Sequence, residues 1–161
     1  MSAADHSLWM TEALALADAA EAMGEVPVAA LVVLDGVVIG RGYNRNIVDC
    51  DPSAHAEIVA LRQAGQAVGN HRLVGASLYC TLEPCIMCAG AIIHARLAQL
   101  VYAADDPKTG AVGSVFDIIA DPRHNHRVEV VRGVLADQAS ERLREFFRRK
   151  RQLEKEQRNR D

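Results

Sequence analysis

The sequence predicts an α/β fold, a three-layer α/β/α sandwich around a five-stranded mixed sheet. Three observations support this. A valine-rich apolar run, residues 26–34, is joined through Asp35-Gly36 to a second strand pattern, Val37 to Tyr43. Asp-Gly between two such runs is a strong two-residue hairpin signal. After that hairpin, strand and helix patterns alternate to the end of the chain. No linker or internal repeat interrupts the 161 residues. That length suits one domain, so a single domain over residues 1–161 is expected, with a basic last helix over about residues 138–161.

The elements follow in order. Ser7 to Met23 predicts a helix, with Ser7 as its cap, an apolar face of Leu8, Leu14, Leu16 and alanines, and Gly24 as its stop. Residues 26–34 form the first strand, apolar enough to be buried on both faces, and residues 37–43 its antiparallel partner. A polar loop, Asn44 to Ser53, leads to a helix that begins near Ser53 or Ala54 and runs to Gly65. Leu78 to Leu82 is a third strand. Pro84 suits the first turn of the next helix, where its missing N–H costs nothing, and that helix runs to about Ala95. Gln99 to Ala104 is a fourth strand, Asp105 to Gly113 a turn-rich loop, Val115 to Ile119 a short helix, and Val128 to Val131 a fifth strand. Asp137 or Ser140 caps the last helix.

Composition narrows the class. Half the residues are hydrophobic and only 4% are aromatic, so the core must be built from Ala, Val, Leu and Ile. No apolar run reaches the roughly 18 residues of a membrane span, and residues 1–6 have neither a basic start nor an apolar segment. No membrane partner and a cytoplasmic location are expected. In that setting the four cysteines, Cys50, Cys80, Cys85 and Cys88, point to metal or catalysis rather than disulfides. Charge is uneven. Residues 141–161 hold nine Lys/Arg against five acids, whereas residues 1–140 hold nine against 16. This pattern fits either a solvated helix face or a phosphate-contacting tail.

The chemistry concentrates in His55-Ala56-Glu57 and Pro84-Cys85-Ile86-Met87-Cys88. One imidazole and two thiolates give zinc three protein ligands and leave the fourth tetrahedral position open, the mark of a catalytic site. Both pieces fall at predicted helix starts, and a helix N-terminus lowers a thiol's pKa. Glu57 sits beside the ligand set as a general acid–base, able to take a proton from water and hand it to a bound base and its leaving amine. The pattern resembles the signature of zinc-dependent base deaminases. Bland readings stand beside it. His-x-Glu is common by chance, and Cys-x-x-Cys also serves redox pairs and structural zinc sites, for which Cys80 is the rival fourth ligand. Cys50 reads as a loop residue, and His71, His94, His124 and His126 as surface or helix-end residues.

Further segments extend the likeness: Glu25-Val26-Pro27-Val28, Gly42-Tyr43-Asn44-Arg45, Leu61-Arg62, Thr81-Leu82-Glu83, Cys88-Ala89-Gly90-Ala91, Asp106-Pro107-Lys108-Thr109-Gly110-Ala111, Asn125-His126-Arg127-Val128-Glu129 and Phe146-Phe147-Arg148. With them, roughly residues 8–153 resemble the bacterial tRNA-specific adenosine deaminases of the cytidine deaminase superfamily. The resemblance implies a cytidine deaminase-like fold, one Zn2+ per chain held by His55, Cys85 and Cys88, and Glu57 as the catalytic group. It implies a homodimer with its two active sites near the subunit interface. The implied reaction converts the wobble adenosine of an arginine tRNA to inosine. Asn44 and Ala56 match positions at the target base, and Arg45, Asp106, Lys108, Phe147 and Arg149 match regions that meet the tRNA anticodon stem-loop. Asn46, His71 and Asp105 depart from the pattern, and Asp105 is expected to weaken phosphate attraction locally. Two alternatives stay open: a deaminase of free guanine or cytosine, which needs no basic tail, and a zinc-stabilised RNA-binding module, which needs no Glu57.

Overall fold

In the computed structural model, which describes residues 2–161, the strands are β1 (Ala29–Leu34), β2 (Val37–Tyr43), β3 (Ser77–Leu82), β4 (Gln99–Ala104) and β5 (Glu129–Val131). They pair in the order β2-β1-β3-β4-β5. β1 is antiparallel to both β2 and β3, while β3–β4 and β4–β5 are parallel. The helices are α1 (Ala3–Ala22), α2 (Ala56–Val68), α3 (Ile86–His94) and α4 (Ala136–Arg158). The expected five-stranded mixed sheet between helical layers is present.

The two faces of the sheet follow the alternation of strand side chains. Ala30, Val32, Leu78, Cys80, Leu100 and Tyr102 face α2 and α3, packing with Ala56, Ala60, Ala64, Ala89 and Ile92. Leu31, Val33, Tyr79, Val101 and Ala103 face the other way, onto Met10, Ala13 and Leu14 of α1 and Ala139 of α4. The small side chains bring helices close to the sheet. On β2, a Cβ added at Gly40 would meet Ala60, and one added at Gly42 would meet the Ala56 carbonyl. These two glycines therefore set α2 directly on the strand.

The hairpin forms as the Asp-Gly pair predicts. Asp35 and Gly36 have φ of 51° and 74°, and Leu34 pairs with Val37. Both central residues at positive φ match the twist of a tight hairpin.

Several boundaries differ from the sequence expectation. α1 starts a turn and more before Ser7, because Ser2 and Asp5 cap it reciprocally (Asp5 N–H to Ser2 Oγ 3.3 Å, Ser2 N–H to Asp5 Oδ2 3.1 Å). Leu8, expected on the apolar face, points to solvent. β1 begins only at Ala29, since Pro27 offers no N–H to a ladder and Val28 N–H turns back to the Val26 carbonyl at 2.8 Å. α2 starts at Ala56, not at Ser53 or Ala54, and Gly65 is interior. Its stop is Gly69, in the left-handed region at φ 68°. Pro84 lies one residue before the cap of α3, not in its first turn. The helix expected at Val115 to Ile119 does not form. The N–H groups of Val115 and Phe116 turn back to the Gly110 carbonyl, and Val112 bridges Asp117. Neither Asp137 nor Ser140 caps α4: Leu135 occupies that position at φ 56° without a side-chain bond. Among the described residues no helix is long and apolar enough to cross a membrane.

Candidate metal and active site

The parallel strands β3 and β4 end on the edge of the sheet where β1 begins and β2 finishes. In open α/β sheets ligands bind at the carboxyl ends of the strands. Two helices start at this edge. His55 is the extended N-cap of α2 (φ −71°, ψ 155°), and Cys85 is the extended N-cap of α3 (φ −76°, ψ 178°). Neither side chain is spent on capping its own helix, so both are free to point across the gap. Cys88 follows one turn into α3 and is fully buried.

The three side chains converge. His55 Nδ1 lies 3.6 Å from Cys85 Sγ and 3.7 Å from Cys88 Sγ. All three ligand atoms lie within 4.8 Å of one another. With Zn–S and Zn–N near their usual lengths, tetrahedral angles require S···N separations of about 3.6 Å. The donor set and its spacing therefore fit zinc, and Nδ1 is the imidazole nitrogen that faces the thiols. Cys80 is buried in β3 and stands outside this group, so the rival four-ligand arrangement finds no support.

Protonation in the cluster follows from crowding. Cys85 is pulled down to about 4, first by the Cys88 thiol donating to it and then by His55. Cys88 is pushed up, because it keeps the proton it gives to Cys85 and because it is buried. His55 is raised by its bond to Cys85. The two sulfurs lie close enough together that a divalent cation between them would hold both as thiolates. The Glu57 carboxyl is buried, and burial raises its pKa although contact with the Cys88 thiol opposes the shift.

The family follows from comparison with known proteins. The MafB19-like deaminase family model matches residues 4–151. A tRNA-specific adenosine deaminase of Haemophilus influenzae is 52% identical, over 91% of this chain and 85% of its own length. That of Agrobacterium fabrum is 47% identical, over 92% and 97%. The chain belongs to the tRNA-specific adenosine deaminase family. Among solved structures, a tRNA:A34 deaminase studied for A-to-I editing at the wobble position of transfer RNA aligns with a TM-score of 0.79 and 46% identity, over 81% of this chain and 95% of its own. A guanine deaminase from Nitrosomonas europaea aligns with a TM-score of 0.71 and 31% identity, over 85% and 81%.

The other residues singled out from the sequence have unequal freedom. The Asn44 Oδ1 accepts the Ala56 N–H at 3.0 Å, which ties the end of β2 to the start of α2 and leaves the Asn44 amide NH2 to donate. The Arg45 guanidinium reaches both Asp49 oxygens (3.0 and 3.1 Å) and lies over the Tyr43 ring, so much of its charge is already offset. Asp106 accepts from the backbone of Lys108 and Thr109 and from the Thr109 hydroxyl. It organises its own turn, and Lys108 is exposed at that turn's tip. Asp105 accepts from the Tyr102 hydroxyl at 3.1 Å. On α4, Phe146 is half-buried and Phe147 is exposed, the two rings meeting edge to face at 5.2 Å. Arg149 pairs with Glu21 of α1 and with Glu145.

Two buried carboxylates were not singled out as site residues from the sequence. Glu25 accepts the Ile47 and Val48 N–H groups at 2.8 and 2.9 Å, holding the loop that follows Asn44. Glu83, next to Pro84-Cys85, holds the loop after β4. Both lie in segments that carry the family likeness, but their backbone partners lie too far along the chain for spacing to reveal what they hold.

Proposed function

We propose that the chain binds one zinc through His55 Nδ1, Cys85 Sγ and Cys88 Sγ and converts the wobble adenosine of an arginine tRNA to inosine, releasing ammonia. The observation behind this is the three-ligand cluster with buried Glu57 beside it, in a chain 52% identical to a tRNA-specific adenosine deaminase.

When bound, zinc supplies the Lewis acidity that makes water a nucleophile near neutral pH. The chain supplies the proton traffic. Glu57 accepts a proton from the attacking water and gives it to the purine ring nitrogen. It then carries the second proton to the amino group, which leaves as ammonia. Burial suits Glu57 to this work, since it brings the carboxyl's affinity for a proton closer to that of the groups it serves. The free Asn44 NH2 donates to an acceptor on the purine edge, while its bond to Ala56 fixes its direction.

The active form is a homodimer working in the cytoplasm. A groove of about 880 Å3 lies away from the ligand cluster, on the outer face between α2 and α3, with Ile58, Leu61, Leu73 and Ala91 in its wall. Both helices carry ligand residues at their starts, so a second copy seated there would stand close to the site. Lys108, Phe147 and Arg149 contact the anticodon stem-loop by phosphate attraction and base stacking, with Arg45 and Asp106 beside them.

Ammonia release from an anticodon stem-loop with adenosine at the wobble position tests the reading. Turnover of that stem-loop is expected, with little or none of free adenosine, guanine or cytosine. Because a guanine deaminase shares the fold, guanine is the decisive competitor. Faster release from guanine than from the stem-loop would overturn the RNA assignment.

A further inference from the structure

The Glu83 carboxylate is 2% exposed, and both its oxygens are fully engaged. Oε1 accepts the Asp106 N–H at 3.0 Å and the Ser114 hydroxyl. Oε2 accepts the Val112 N–H at 2.9 Å and the Ser114 N–H at 3.1 Å. No lysine, arginine or histidine pairs with it among the described residues. A buried carboxylate with no cationic partner is stable only when donors surround it, and here every donor comes from one loop, residues 106–114. The backbone on either side joins the same contact: Glu83 N–H donates to the Ala104 carbonyl at 2.8 Å, and Ala111 N–H to the Pro84 carbonyl at 2.8 Å. At Gly110 the loop lies so close that an added Cβ would strike the Glu83 carboxylate.

The loop held this way carries Lys108 at its tip, and the residue holding it is two positions from Cys85. We infer that Glu83 is a positioning residue for the RNA substrate: it sets the 106–114 loop against the ligand turn, so that Lys108 meets the anticodon loop at a fixed distance from the reacting base. This rests on the function proposed above. Glutamine is the telling replacement. Its amide NH2 would face backbone N–H groups, so one side of the clamp would lose its acceptor while the size of the side chain is kept.

In Glu83→Gln we expect zinc near one per chain and kcat for the stem-loop within about twofold of wild type, with KM raised about tenfold or more, as misplacement of a binding element does. Lys108→Ala should raise KM in the wild-type background and add little in Glu83→Gln, because the two act on one contact. Hydrogen exchange over residues 105–117 should quicken in Glu83→Gln whether or not RNA is present. Loss of zinc, a fall in kcat at unchanged KM, an equal or absent effect of Lys108→Ala in both backgrounds, or unchanged exchange would each overturn the inference. If Glu83→Gln does not fold, Ser114→Ala, which removes one hydroxyl from the clamp, takes its place in the same cycle with a smaller KM shift expected. If wild-type protein releases no ammonia from the stem-loop, the proposed function falls, and the exchange measurement still decides whether Glu83 orders the loop.

Discussion

Cys85 and Cys88 offer the same atom to a metal, yet they differ sharply. Cys85 is half-buried and held down to about 4, while Cys88 is buried and pushed up by the bond to Cys85 and by burial. Cys88 is a fully buried member of the ligand cluster, so Cys88→Ala should lose both zinc and thermal stability, whereas Cys80→Ala should keep its zinc. Metal analysis of the two purified variants decides this, and full zinc in Cys88→Ala would break the ligand assignment. Glu57→Gln should fold and hold zinc while turnover drops about 100-fold or more, since an amide cannot relay protons. Glu83 makes a further prediction in acid. Burial pushes its carboxyl up, but the Ser114 hydroxyl and three backbone N–H groups outweigh it and leave the pKa below 4.5. A group whose folded pKa is lowered stabilises fully above its unfolded value and loses that contribution as pH falls through the folded one. The stability gap between wild type and Glu83→Gln should thus be steady above about pH 4.5 and close below it, as denaturant melts across pH would show. His55, Glu57, Cys85 and Cys88 were legible in the sequence because metal-ligand chemistry is written in residue type and short spacing. Glu25 and Glu83 were not, because their partners are backbone N–H groups 22 to 31 residues away.

Among the elements, α2 and β2 form the tightest contact, and it positions the site. Gly40 and Gly42 let the helix backbone rest on the strand, and Asn44 then closes the end of that strand onto the first N–H of the helix. Gly42→Ala would push the Ala56 carbonyl, at the very start of the helix that follows His55. We expect a loss of about 1–3 kcal/mol from this overpacking and a melting temperature lower by several degrees, at about 2–4 °C per kcal/mol for a chain of this size. An unchanged melting temperature would mean that α2 can ride outward freely. The strands and the hairpin were readable in advance, since apolar runs and Asp35-Gly36 are local signals. Helix ends were less so. Ser7 is as good a cap as Ser2 by residue type, but only Ser2 has an acid three residues on to complete the box. The missing helix after Gly113 shows the same limit, because the Ile118 N–H goes to the Ala111 carbonyl and Val112 bridges Asp117, pairings that spacing does not reveal.

At the scale of the whole molecule, two surfaces are left open among the described residues. One is the groove between α2 and α3. Light scattering at micromolar concentration should report a dimer, and a fully active monomer would rule out the second copy proposed there. The other is the outer half of α4. Residues 147–161 are all exposed, and Leu153 is 65% exposed. Some of the basic side chains there are satisfied internally, with Arg148 and Arg149 on Glu145, but Lys150, Arg151 and Lys155 make no ion pair among the described residues. A solvated helix face and a phosphate-contacting tail differ in their response to salt. Phosphate contacts release counterions, and each one lost should flatten the dependence of log affinity on log salt by about 0.7–0.9. Deleting residues 148–161 removes no core residue and no metal ligand, so zinc content should stay near one per chain. Stem-loop KM should rise, and its salt dependence should flatten by one such step or more. If the shortened chain handles the stem-loop like the full one at every salt concentration, the end of α4 is only a solvated helix, and the RNA contacts must lie in the 106–114 loop and the loop after β2.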